Sequence, residues 1–302
     1  MKTYLTTQQC RTALLFVRFH SSLYRRLSRN LAREIASYMG DPFLLPKCIG
    51  QTISVLYLEK GSRRRKTVDL QMTWDTVNCL LDWRTIFFIS HAPLCCKVDL
   101  ISFEVIQVAP MHIPRENPGA IHVRGVVYVF GGKRSDLLTS SEKYQLSNNE
   151  WSPLPPLPTP KYAFNPCQRE DQIFLAEVNN SLHSFDIFNL VQATYRSLPF
   201  KIQCSMNGCV SFIVGEELYL LTMQQQCLKW NLKQVEAQPT QSQVQLVEEN
   251  DAYSSCTPVF FRGVVYWTNY LSGKTVSFDS STQLLKEEAD SEEFICTETA
   301  AC

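Results

Sequence analysis

Short runs of apolar, β-branched and aromatic residues recur along the chain, each bounded by polar or turn-forming residues. They lie at 54–58 (SVLYL), 85–90 (TIFFIS), 126–130 (VVYVF), 172–176 (QIFLA), 217–221 (ELYLL) and 264–268 (VVYWT). Runs of this length and composition predict buried β-strands. An aromatic within them sets a register: Phe87, Tyr128, Phe174, Tyr219 and Tyr266 are separated by 41, 46, 45 and 47 residues. A second marker, Val68, Val98, Tyr144, Phe185, Trp230 and Phe278, follows in steps of 30, 46, 41, 45 and 48. Asp or Asn trails most of these, as Asp69, Asp99, Asp186, Asn231 and Asp279. Two markers holding one period define a repeat. Residues 12–39 follow a different rhythm. Phe16, Phe19, Leu23, Leu27, Leu31 and Ile35 recur every three or four positions, with Arg25, Arg26, Arg29 and Arg33 between them. That spacing predicts an amphipathic helix, which Gly40-Asp41-Pro42 ends.

A unit of 40–50 residues built only from short strands is the signature of a β-propeller blade. Four strands can be read in the clearest unit, at 120–123, 126–130, 142–146 and 150–154, before the exit Pro155-Pro156-Leu157-Pro158. The second strand is apolar throughout, as expected where neighbouring blades cover both of its faces. The expected fold is therefore all-β. A propeller of about six blades spans residues 50–290, preceded by a short α-helical segment within 1–40 and followed by an acidic tail at 291–302. Five blades with a composite closure, or seven, fit the spacing as well. The first unit is short, so it is expected to lack a fourth strand or to share strands with the last.

The clearest unit resembles a Kelch repeat: an aliphatic-Tyr-Val-Phe run leads into Gly131-Gly132, then come Tyr144, Trp151 and the Leu-Pro exit. Paired glycines let the backbone turn tightly where a side chain would collide, and the two aromatics fill the gap between blades. Gly131, Gly132, Tyr144 and Trp151 are thus structural positions. Elsewhere His91-Ala92, Glu177-Val178, Met223-Gln224 and Asn269-Tyr270 replace the glycine pair, so the resemblance has one close match and five degenerate ones.

The resemblance implies a non-catalytic protein–protein interaction module. In such propellers the loops joining second to third strands (b–c) and successive blades (d–a) share the face that meets a partner. By that assignment Arg63, Arg64, Arg65 and Lys66 lie in the first b–c loop and Lys133 and Arg134 in the third. Arg115, Lys161 and Lys201 lie in d–a connections. A mouth lined by these cations suits an acidic or phosphorylated peptide. The segment 27–39 also resembles the opening of an F-box, which implies a ubiquitin-ligase linker and cullin as partners and a substrate-recognition role. The Pro after the first Leu and the later Cys-Lys-x-Trp of that family are absent. The first reading of the same helix is a structural arm packed on the propeller; its Arg-rich, acid-poor composition also fits a mitochondrial transit segment, which ranks last.

Composition narrows the picture. The chain has 302 residues, 45% hydrophobic and 19% charged, which is core-forming material. Its longest strongly apolar stretch, 13–19, is already interrupted by Arg18 and falls far short of a membrane span. Residues 1–20 show no secretory pattern, so a cytoplasmic location is expected, with the nucleus as second choice through the basic run. The net charge of zero conceals an asymmetry: thirteen Lys and Arg face three acids in residues 1–66, whereas ten acids face three bases in residues 246–302. Positive charge that is local, with no aromatics interleaved, argues against nucleic acid.

Candidate chemistry is sparse. Twelve cysteines contain no CxxC pair and are expected to be reduced, buried thiols rather than metal ligands. The five histidines form no HExxH, and Ser272-Gly273 lacks a nucleophile elbow. Gly131-Gly132-Lys133 follows a strand but leads into no helix that would receive phosphate. Nothing groups His, Cys and Tyr into the ligand set of a Kelch-type copper oxidase, which is the enzymatic alternative, and no sialidase box occurs. No catalytic residue, cofactor or metal is expected.

Overall fold

The computed structural model describes residues 43–49, 52–59, 62–69, 77–82, 85–89, 95–99, 102–178, 183–198, 209–222, 226–233, 240–243, 245–246, 259–261, 264–268, 275–282 and 284–288. The expected N-terminal helix, Lys201 and the acidic tail lie outside the described residues.

Six sheets follow one another along the chain, antiparallel but for one strand pair in the sixth. The first contains β1 (Phe43–Ile49), β2 (Thr52–Glu59) and β3 (Ser62–Asp69). The second contains β4 (Val77–Leu80), β5 (Thr85–Ile89), β6 (Cys95–Asp99) and β7 (Val105–Val108). The third contains β8 (Gly119–Val123), β9 (Val126–Phe130), β10 (Ser141–Gln145) and β11 (Glu150–Leu154). The fourth contains β12 (Cys167–Arg169), β13 (Gln172–Val178), β14 (His183–Asn189) and β15 (Thr194–Leu198). The fifth contains β16 (Cys209–Val214), β17 (Glu217–Thr222), β18 (Gln226–Asn231) and β19 (Thr240–Gln243). The sixth contains β20 (Gln245–Leu246), β21 (Val259–Phe261), β22 (Val264–Thr268), β23 (Thr275–Asp279) and β24 (Leu284–Glu288). All six apolar runs fall on second strands. The first sheet has three strands among the described residues. In the sixth sheet β20 pairs in parallel with the outer strand β24.

The second strands β9, β13 and β17 are buried on both faces because each serves two sheets. Val127 and Val129 of β9 pack with Phe87 and Ile89 of the second sheet, while Tyr128 and Phe130 turn to Ile173, Leu175 and Phe188 of the fourth. Phe174 and Ala176 then meet Leu218 and Leu220 of the fifth. Tyr219 and Leu221 meet Val265 and Phe278 of the sixth. Successive sheets thus stack face to face, and the first strands β4 and β8, and likewise β12 and β16, run beside each other. This is the arrangement of a β-propeller.

One marker needs correction. Phe188, not Phe185, is the counterpart of Tyr144: Tyr144 pairs with Val127 and Phe188 with Ile173, each on the face turned to the preceding sheet. Phe185 faces the following sheet instead, beside Trp230. Three positions along a strand reverse the face, and sequence spacing alone does not reveal which of two nearby aromatics holds the register.

Candidate partner-binding face of the third sheet

The loop from β9 to β10 is built on a backbone that only glycine satisfies. Gly131 and Gly132 have φ of 60° and 97°. A Cβ at Gly131 would stand 2.3 Å from the Lys161 carbonyl oxygen, and one at Gly132 would stand 2.9 Å from that of Glu116. That closeness carries hydrogen bonds: Gly132 N–H donates to Lys161 O at 2.7 Å and Gly131 N–H to Ser140 O at 3.1 Å. Leu138 N–H closes the loop on Gly132 O, and Glu116 and Lys133 exchange backbone bonds of 2.8 and 2.9 Å. The loop is therefore tied to the connections that both precede and follow the third sheet.

Arg115 clamps the loop from below. Its Nη1 donates to Gly131 O at 2.8 Å and Ser140 O at 2.6 Å, at the two ends of the loop. Its Nη2 donates to Glu142 Oε1 at 2.7 Å. Arg115 is fully buried, and Glu142 nearly so. Burial pulls the Arg115 pKa down against the opposing charge of Glu142. Burial also pushes Glu142 up, but hydrogen bonds from the His112 backbone and ring, with the Arg115 charge, outweigh it and hold the carboxyl below its ordinary value. Ile113 N–H adds another bond to Glu142 at 3.2 Å. Glu142 and His112 carried no signal in the sequence: Glu142 is one of several polar residues in Ser141–Gln145, and His112 is a lone histidine.

Tyr144 and Trp151 sit 5.1 Å apart, ring to ring, and Phe87 of the second sheet lies 5.1 Å from Tyr144. Trp151 Nε1–H donates to Ala109 O at 2.7 Å, and Tyr144 O–H to Asn149 Oδ1 at 2.7 Å. These two residues and the glycine pair are all buried.

The expected ring of cations divides. Lys133 and Arg134 are exposed on the loop, with Asp136 and Leu137 beside them. Arg115 and Lys161 are not surface groups: both are fully buried, Arg115 on Glu142 and Lys161 on Asp186 at 2.9 Å. A cation in a d–a connection here serves the interior, where an unpaired charge would be costly. Arg63, Arg64, Arg65 and Lys66 belong to β3 rather than to a b–c loop, paired with Leu58, Tyr57, Leu56 and Val55 of β2. Pairing along the whole of the apolar β2 absorbs the basic run as strand. Only Lys133 and Arg134 of the proposed set are placed on an exposed loop among the described residues.

Residues 114–158 match the family model described as the Kelch motif. The third sheet is a Kelch blade. The match begins one residue before Arg115 and ends at the Pro-rich exit, so it contains the whole clamp: Arg115, both glycines, Glu142, Tyr144 and Trp151. A search of curated proteins finds no match to the chain. Among solved structures, a chain of the crystal structure of a nidogen/laminin complex is similar with a TM-score of 0.60 and 9% identity. It covers 80% of this chain and 97% of that one. That likeness is one of fold, and it agrees with the stacked sheets of the propeller. Among the described residues no group of three or more His, Cys, Asp or Glu is arranged to hold a metal ion, and no helix there is long and apolar enough to cross a membrane.

Proposed function

We propose that this chain is a non-catalytic protein-interaction propeller that binds its partner on the face made by the 131–140 loop and the neighbouring d–a connections. The supporting observation is the loop's construction. A buried arginine grips both ends of the loop through Gly131 O and Ser140 O, while Lys133, Arg134, Ser135, Asp136 and Leu137 at its tip remain exposed. A loop that is already ordered loses little conformational entropy on binding, which favours recognition. Its two adjacent cations suit an acidic or phosphorylated segment of a protein partner, by charge-assisted hydrogen bonds.

Charge reversal at Lys133 and Arg134 tests the reading. Partner capture by the full chain falls at least tenfold in the double variant, while the melting temperature stays within about a degree. Undiminished capture retires this face. The substrate-receptor alternative draws its support from the pattern at 27–39. A cullin and its linker captured with the full chain, but not with residues 40–302, would favour it.

A further inference from the structure

The 131–140 loop stands on two d–a connections that are bonded to each other. In the first, Glu116 exchanges backbone hydrogen bonds with Lys133. In the second, Lys161 O accepts the Gly132 N–H at 2.7 Å, and Lys161 N–H donates to Leu138 O at 3.4 Å. Ala163 N–H donates to Asn117 O at 2.9 Å, which locks one connection to the other. Both of these residues take a left-handed backbone, with φ of 42° at Asn117 and 52° at Ala163.

Tyr162 is held at each end within this frame. Its backbone follows Lys161, and its hydroxyl accepts the Asn117 Nδ2–H at 3.1 Å, one residue from the Glu116–Lys133 bridge. The half-buried ring therefore lies along the foot of the loop. Across the loop Lys133 is bridged to Leu137. That leucine is 42% exposed, one of four exposed large hydrophobic side chains among the described residues. Leu137 and Tyr162 adjoin the two ends of a single backbone hydrogen bond, that from Lys161 to Leu138.

Charge alone is a poor source of affinity on this patch. Lys133 and Arg134 share it with Asp136 on the loop and Glu116 at its foot, so attraction for an acidic segment is partly offset. Exposed ion pairs are weak in any case, whereas aromatic and apolar anchors carry much of the energy of protein recognition. Resting on the proposed binding face, we infer that Tyr162 and Leu137 are its apolar contact residues. The partner segment is acidic and carries one large apolar side chain, which packs on them while its carboxylates meet Lys133 and Arg134. Asn117 is a positioning residue, with its amide on the Tyr162 hydroxyl and its carbonyl on Ala163. The ring is set before the partner arrives, so little side-chain freedom is lost on binding.

The test uses the full chain and two fluorescein-labelled, Glu-rich peptides of about twelve residues, alike except for a central Trp or Gly, with binding read by anisotropy. The wild type binds the Trp peptide roughly fivefold tighter or more. Tyr162→Phe keeps that preference because the ring remains. Tyr162→Ala loses it, with affinity for the Gly peptide within roughly twofold of the wild type. Leu137→Ser, at an exposed position, narrows the preference at least roughly twofold and decides the matter if Tyr162→Ala fails to fold. Equal affinity of the wild type for the two peptides, a preference that survives either Tyr162→Ala or Leu137→Ser, or one lost in Tyr162→Phe overturns this inference alone. Binding of neither peptide, or binding indifferent to charge reversal of Lys133 and Arg134, overturns the binding face as well.

Discussion

Lys161 Nζ lies 2.9 Å from Asp186 Oδ2, with both side chains almost wholly removed from solvent. The pair repeats in the fourth sheet what Arg115 and Glu142 do in the third. Lys161 follows Arg115 by 46 residues in the next d–a connection. Asp186 pairs with Leu175 as Glu142 pairs with Val129, on the same face of the third strand. The aromatic partners repeat too: Phe188 and Tyr195 have ring centroids 4.9 Å apart, against 5.1 Å for Tyr144 and Trp151. A buried cation in the connection, a buried acid on the third strand and two aromatics in tilted contact form one inter-sheet joint, and its chemistry survives where the sequence motif does not.

Breaking the joint from one side strands a charge. Lys161→Met leaves Asp186 buried, with the Ser197 hydroxyl still donating to it, and costs about 3–5 kcal/mol. Adding Asp186→Asn recovers part of that loss. Urea denaturation of the two variants measures it, and a double variant as unstable as the single one would show that the joint depends on something other than charge.

The glycines rank by their surroundings. Gly125→Ala, at φ 80° with open space around the new Cβ, costs about 1 kcal/mol for the left-handed backbone. Gly131→Ala has the same kind of penalty and drives a methyl into the Lys161 carbonyl, so its loss is several times larger. Equal melting temperatures for the two variants would contradict the loop geometry described above.

His122 gives the fold an acid-sensitive contact at the opposite ends of the strands. Its Nε2 accepts the Gly125 N–H at 3.0 Å, which requires that nitrogen to be unprotonated. Burial lowers its pKa, against the opposing pull of Asp82 and of a hydrogen bond to the Leu81 backbone. The unfolded chain therefore takes up a proton before the folded one does. The contribution is complete above about pH 6.5, the ordinary imidazole value, and is lost as pH falls from there toward the lowered folded value. His122→Gln flattens stability over that window, and loss from Glu142 and Asp279, whose carboxyls are held low, comes only at more acid pH.

The cysteines are expected to be inert. Burial pushes Cys79 and Cys167 up to about 12 and Cys96 up to about 11, so almost no thiolate exists at neutral pH. Mass spectrometry after iodoacetamide treatment finds Cys79, Cys95, Cys96, Cys167 and Cys227 unmodified in the native protein and alkylated once it is denatured. Native labelling at Cys79 would contradict its burial.

The strand order was largely legible because burial on both faces leaves an unmistakable apolar run, as in 126–130 and 217–221. The Gly131-Gly132 turn was legible for a related reason, since few residues tolerate that backbone. The fate of the cations was not. Arg115 and Lys161 look like exposed loop charges in sequence, and only the folded chain brings Glu142 and Asp186 to them across 27 and 25 positions. Arg63–Lys66 looked like a turn because four basic residues are poor strand formers, yet strand pairing with the apolar β2 overrides that local preference.

The most direct test of the central claim is a cross-linking map of the native complex. The full chain is cross-linked in its own cells with an amine-reactive reagent, and the partner-linked peptides are identified. The account predicts links from a protein partner to Lys133 and its loop, with none to the buried Lys161. Links concentrated elsewhere on the propeller, with Lys133 reactive but unlinked, would contradict the proposed face.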